Sequence, residues 1–188
     1  MEINALTHSA VAIENVIKTP IKVTNTFTNK EINSLAIWDT GATHSVITKS
    51  AALALGLVPL SMTEVCGVHG KKTVNVYLVK ITLNNENISI TTQVTECEEL
   101  SSKNDTAMLI GMNIIDLGDF HISNYNGQTV MTFRVPSLER TDYVQEIAEH
   151  NRCLKIHQIN ERKRMPDKCG CGSGKQYKNC HGNSPYSK

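Results

Sequence analysis

Aromatic residues are scarce in this chain, at 5% with only three Phe and one Trp. Its core must therefore rest on Ile, Val and Leu, which favour strands where they alternate with polar residues. Long apolar runs are missing too. Nothing approaches the ~18 consecutive residues that a membrane helix needs, so no membrane partner is expected. The opening stretch, Met1 to Lys18, lacks a basic start followed by an apolar run and does not read as a secretory signal. Without export, the sequons Asn87-Ile88-Ser89 and Asn104-Asp105-Thr106 carry no meaning. A disulfide framework is absent as well. Cys66, Cys97 and Cys153 are scattered and the other three of the six cysteines crowd into the last twenty residues, which fits a reducing cytoplasm better. No internal repeat is visible.

What is present is a charge asymmetry and a change of pattern near Pro136. Residues 150–188 carry nine Lys/Arg against Glu161 and Asp167, a net +7, while residues 1–149 carry ten against sixteen, a net −6. A basic tail on a mildly acidic body suits contact with an acidic protein, RNA or a ribosome surface, and equally a solvated linker. From Ile21 to Leu138 the chain reads as strands and turns. "IKVTNTF" and "NSLAIW" bracket a turn at Thr28–Glu31, which predicts a hairpin leading to Asp39. "SAALALGL" predicts a short helical turn ending at Gly56. "TVNVYLVKITL" and "ISITTQVT" alternate around Asn84–Asn87 as a long antiparallel pair. "TAMLIGMNIID" is an apolar run broken by Gly111, and "GQTVMTFRV" predicts a final strand. Beyond Pro136, Val144, Ile147 and Leu154 fall near one helical face, with Ser137 as the expected N-cap and an end before Pro166.

The run "AIWDTGATHSVIT", Ala36 to Thr48, carries the chemistry. Asp-Thr-Gly alone suits any turn, but its surroundings resemble the retroviral-type aspartic proteases over roughly Ile21 to Val135. The matching pieces are "IWDTGATHSVIT", "ALGL" at Ala54–Leu57, "GVHG" at Gly67–Gly70 heading a long hairpin, "MLIGMNII" at Met108–Ile115 and "QTVMTF" as a closing strand. The resemblance implies a mainly β, single-lobed domain with Asp39 as the catalytic carboxylate. It further implies that Thr40 ties two such loops together and that Gly41 turns the backbone and points its N–H at the carboxylate. Ala42 matches the retroviral variant. Gly111 corresponds to the glycine of the element packed behind the loop, and Asn113 departs from relatives that carry Asp there. Gly67, Val68, His69 and Gly70 would form a flap over the substrate, and Cys66 beside it would impede the flap if oxidised. His44, His69 and His121 show no ligand pattern.

That chemistry needs two carboxylates, and the sequence holds one such loop. The second must then come from another copy, so the resemblance implies a homodimer in which Asp39 faces its symmetry mate.

"KCGCGSGKQYKNCHG" supplies Cys169, Cys171, Cys180 and His181, three thiolates and an imidazole that suit tetrahedral zinc. Four protein ligands leave no open position, which makes the metal structural, one Zn per chain, with none for catalysis. A phosphate-binding loop is excluded. It needs Gly five residues before Gly174-Lys175 and Ser or Thr after, where Cys169 and Gln176 stand. Cys-Gly-Cys-Gly-Ser-Gly-Lys, then Tyr177, Lys178 and Cys-His, resembles the SEC-C motif at the tail of the bacterial preprotein translocase motor, which folds around zinc and binds partner proteins. The expected organisation is a retropepsin-like domain over residues 20–136, a helical linker over 137–165 and a SEC-C element over 166–183. The expected function is a cytoplasmic, bacterial aspartic endopeptidase acting on peptides or proteins, its zinc tail recruiting a substrate or partner. The competing expectation is a non-catalytic dimeric adaptor whose tail binds a protein, RNA or the ribosome.

Overall fold

The computed structural model describes residues 2–67, 70–102, 105–164 and 168–183. The chain forms two compact units, Met1–Glu139 and Arg140–Lys188.

The first unit is mainly β. Its strands are β1 (Asn4–Ser9), β2 (Lys18–Asn25), β3 (Glu31–Trp38), β4 (Val46–Thr48), β5 (Ser61–Gly67), β6 (Gly70–Leu83), β7 (Ser89–Cys97), β8 (Thr106–Ile110), β9 (Asp119–Ser123) and β10 (Val130–Val135). Two short helices, α1 (Lys49–Leu55) and α2 (Met112–Ile115), interrupt them. Seven strands pair in the order β2-β3-β8-β4-β7-β6-β5, and β2 also pairs with β6, which closes the first six into a barrel. The long strand β6 makes this closure. Its first half pairs with β5 and its second half with β2, both antiparallel. The alternation legible in "TVNVYLVKITL" and "ISITTQVT" places Val79, Ile81 and Leu83 inside, as a period of two requires. The predicted hairpin into Asp39 is β2–β3, and α1 ends on Gly56 in the left-handed region (φ 64°), where glycine pays no steric penalty.

A second sheet, β1-β10-β9, packs on the barrel. Few as they are, the large aromatic rings concentrate at this junction. Trp38 stacks on Phe120 at 5.4 Å, tilts against Phe133 at 5.2 Å and donates its indole N–H to Thr19 Oγ1 (2.9 Å). The residue before Asp39 is thus clamped between the two sheets. Strand β1 lies ahead of residue 20, where the protease-like region was expected to start, and its partner is β10 near the other end of the unit.

In the second unit, α3 (Tyr143–Arg164) is capped by Asp142 rather than by Ser137. Asp142 Oδ1 accepts from Gln145 N (3.3 Å), while Ser137 Oγ donates to Asp119 in the first unit. Val144, Ile147 and Leu154 are all exposed. Pro166, the expected helix stop, lies outside the described residues. Among the described residues no helix is long and apolar enough to cross a membrane.

Candidate active site

Three elements position Asp39. Strand β3 delivers it, Trp38 pairs with Ile110 of the parallel strand β8, and the Asp39 N–H donates to Ile110 O (3.0 Å). Strand β8 also pairs antiparallel with β4 on its other edge. The loop of residues 39–45 therefore spans from one side of β8 to the other. Asp39 is half-buried, and Thr40 and Gly41 are exposed at the loop's tip. The Gly41 N–H donates to Asp39 Oδ1 (2.8 Å), which fixes the orientation of the carboxylate. Gly41 does not adopt positive φ. Its small size matters instead, because a Cβ there would lie 3.1 Å from Asp39 Oδ1.

The underside of the loop is held by groups whose role the sequence did not announce. Ser45 is fully buried. Its backbone N–H and hydroxyl both donate to Asn113 Oδ1 (2.8 Å each), and its oxygen accepts the Gly111 N–H (3.0 Å). Asn113 Nδ2 reaches Thr92 Oγ1 at 3.4 Å, which leaves the amide oxygen toward Ser45. Met112 N donates to Ala42 O (2.8 Å) and Asn113 N to Thr43 O (3.2 Å). The start of α2 is thereby stitched beneath the loop. Gly111 permits this closeness, since a Cβ there would meet His44 C and O at 2.7 Å and Ala42 O at 2.8 Å. Gly111 and Asn113 had stood out in the sequence; Ser45 had not, because a single serine at the end of a loop carries no local signal.

Facing this loop, β5 and the start of β6 form an arm. Gly67 pairs with Gly70 at its tip, and Ser61–Glu64 and residues 70–73 are exposed. Val68 and His69 lie outside the described residues. A cavity of about 350 Å³ opens beneath the arm, lined by Met62, Glu64 and Val65 of β5, Gln93 and Thr95 of β7, and His44 of the aspartate loop. Its walls mix the polar His44, Glu64, Gln93 and Thr95 with the aliphatic Met62 and Val65.

In the second unit, Cys169, Cys171, Cys180 and His181 bring one ligand atom each within 4.8 Å of one another. Cys169 Sγ lies 2.8 Å from His181 Nδ1, and Cys171 Sγ lies 3.6 Å from Cys180 Sγ. Cys180 Sγ also lies 3.6 Å from His181 Nδ1. These two 3.6 Å separations are near the ~3.7 Å edge of a tetrahedron with ligands about 2.3 Å from its centre. The Cys169–His181 pair is closer than that, and it is the chemistry of the donor set that fits a metal ion. Two glycines with positive φ, Gly172 and Gly174, bend the backbone between the ligands.

Residues 23–114 match the family model described as aspartyl protease, and residues 165–183 match that of the SEC-C motif. The chain carries an aspartyl protease domain and a SEC-C motif. Among solved structures, it is similar to a retropepsin-like aspartic protease from Rickettsia conorii, with 13% identity over 72% of this chain and 97% of that one (TM-score 0.43). It is also similar to the EIAV protease in complex with the inhibitor HBY-793, with 20% identity over 55% and 88% (TM-score 0.40). A third is the retroviral protease-like domain of Ddi1 from Leishmania major, with 17% identity over 68% and 99% (TM-score 0.40). No curated protein matches the chain.

Within the aspartyl protease domain, the loop carrying Asp39, Thr40 and Gly41, the arm carrying Gly67 and Gly70, and the supporting Gly111 and Asn113 belong to one barrel. His44 lines the cavity, whereas His121 sits on β9 in the second sheet. The side chain of Cys66 lies outside the described residues.

Proposed function

We propose that this protein is an aspartic endopeptidase that works as a homodimer, one Asp39 from each chain. The observation that carries the reading is the aspartate loop. It presents a half-buried Asp39, oriented by the Gly41 N–H, with exposed Thr40 beside it. The sequence holds no second loop of this kind. Two carboxylates a few ångströms apart do not both ionise, so the pair shares one proton. The ionised Asp39 takes a proton from a water between them as that water attacks the scissile carbonyl carbon. The protonated Asp39 of the other chain donates to the carbonyl oxygen. Transfer of a proton to the departing nitrogen then breaks the C–N bond and releases an acid and an amine. Thr40 would join the two loops across the axis. The arm with Gly67, Val68, His69 and Gly70 would close over an extended peptide and exclude water, one side chain entering the cavity beside His44.

The Cys169, Cys171, Cys180 and His181 cluster would hold one structural zinc, its three thiolates and imidazole filling a tetrahedron. The zinc-bound tail would recruit a substrate or partner protein. The scattered cysteines agree with a reducing, cytoplasmic setting.

The test is the cleavage rate per chain against protein concentration on a diverse peptide mixture, read by mass spectrometry at acidic and neutral pH with Asp39→Asn as the blank. A rate per chain that climbs and saturates is expected. No cleavage above the blank at any concentration would shift the reading to a dimeric adaptor acting through its tail.

A further inference from the structure

The connection between β1 and β2 reads Ala-Val-Ala-Ile-Glu-Asn-Val-Ile over residues 10–17. Its backbone is pinned. Ala10 N donates to Thr129 O (2.8 Å), Thr129 N to Ala12 O (3.2 Å) and Glu14 N to Thr129 Oγ1 (3.0 Å), and Thr129 itself is buried. The Glu14 carboxylate is engaged by the His8 ring at 2.7 Å. On this fixed backbone Val11 is 93% exposed, Ile13 59% and Val16 52%. Three β-branched apolar side chains held in water on a rigid loop mark an interaction surface rather than a core that failed to close.

The register says where this surface lies. Lys18 pairs with Ile37, and the Trp38 N–H donates to Ile17 O at 3.1 Å. Val16 therefore directly precedes the residue whose carbonyl holds the strand end that leads to Asp39. The Val16 end of the apolar loop thus lies by the strand end that carries Asp39, and Val11 and Ile13 follow along the same pinned connection. A dyad requires two Asp39 carboxylates within a few ångströms of each other about a two-fold axis. Whatever flanks Asp39 is then brought against the other copy by the same rotation, and a two-fold contact sets each patch against the symmetry-related surface.

We infer that Val11, Ile13 and Val16 form a self-complementary apolar contact between two copies of this chain, and that this contact brings the two aspartate loops together. The inference rests on the peptidase reading for its two-fold axis, but its test reads assembly separately from cleavage. Sedimentation velocity of the full zinc-loaded chain over a range of concentrations gives the dimer dissociation constant. Val16→Asp and Ile13→Asp each place two charges in the contact, and at least ~10-fold weaker dimerisation is expected. Leu53→Asp, at an exposed apolar position on α1, is expected to leave the dimer intact. Because all three side chains replaced face solvent, the thermal unfolding of each variant verifies that the fold is kept.

Dimers of wild-type strength in the folded Val16→Asp and Ile13→Asp chains would overturn the inference, as would equal weakening by Leu53→Asp. A wild-type chain that stays monomeric yet cleaves in an Asp39-dependent way would overturn it and spare the peptidase. Dissociation by Val16→Asp and Ile13→Asp alone, without cleavage by the wild-type dimer, would sustain the contact and overturn the peptidase instead.

Discussion

A methyl group at position 111 would sit 2.7 Å from the backbone carbonyl of His44 and 2.8 Å from that of Ala42, atoms that cannot rotate away. Gly111→Ala is therefore expected to displace the aspartate loop at a cost of about 1–3 kcal/mol. The readouts are a lowered melting temperature and cleavage reduced by an order of magnitude or more; unchanged melting would disprove the crowding. Another residue-scale expectation concerns Cys97. Burial, and then the neighbouring Glu96 and Glu98, push its thiol up to about 11, so little thiolate forms near neutral pH. Iodoacetamide at pH 8 should label the exposed Cys153 long before Cys97, as site-resolved mass spectrometry would show. At this scale the sequence was informative where a motif names its residues, as at Asp39 and Gly111. It was silent on Ser45, whose importance arises only when β8 brings Gly111 and Asn113 beneath it.

Elements show the same division. β6 and β7 were legible because a half-buried strand prints its period of two on the sequence. β1 and β9 were not: each is short, and β1 finds its partner β10 only at the other end of the unit. Ser137, read as a helix cap, is drawn off by Asp119. That carboxylate accepts from Ser137 Oγ, Leu138 N and the Arg134 guanidinium, which together hold it far below the usual carboxylate range. A depressed folded-state pKa gives stability that is fully present above the unfolded value of ~3.9 and fades as pH falls through the folded one. Asp119→Asn should thus lower the melting temperature at neutral pH, with the gap to wild type narrowing below about pH 4. A constant gap across that range would exclude the ionised form as the cause. In α3, Asp142→Ala removes the cap on Gln145 and should cost about 0.5–2 kcal/mol of helix stability, visible as a loss of ellipticity at 222 nm.

At the scale of the molecule, the two units have separate sources of stability. The first has a continuous core running from Leu6 to Phe133. Around the four-ligand cluster, Cys169 is the buried residue, so on the proposed zinc assignment the metal supplies the folding energy there. A strong chelator should abolish amide-exchange protection around residues 168–183 and leave that of the barrel unchanged. Protection that survives complete metal removal would show the element folding on its own. The cysteine spacing made this element legible in advance, because a metal site depends on a few named ligands. The proposed dimer contact was not legible. Val11, Ile13 and Val16 look like ordinary strand residues until the fold leaves them outside.

The passage of β8 between β3 and β4 also has a consequence for the order in which the aspartate loop takes shape during synthesis. Asp39 is translated well before the strand and turn at residues 106–113 that shape its loop. A nascent or truncated chain ending before them carries the aspartate without the groove, the glycine or the amide that set its geometry. The aspartate loop therefore takes its final shape only once β8, the last strand of the closed barrel in sequence, has been made.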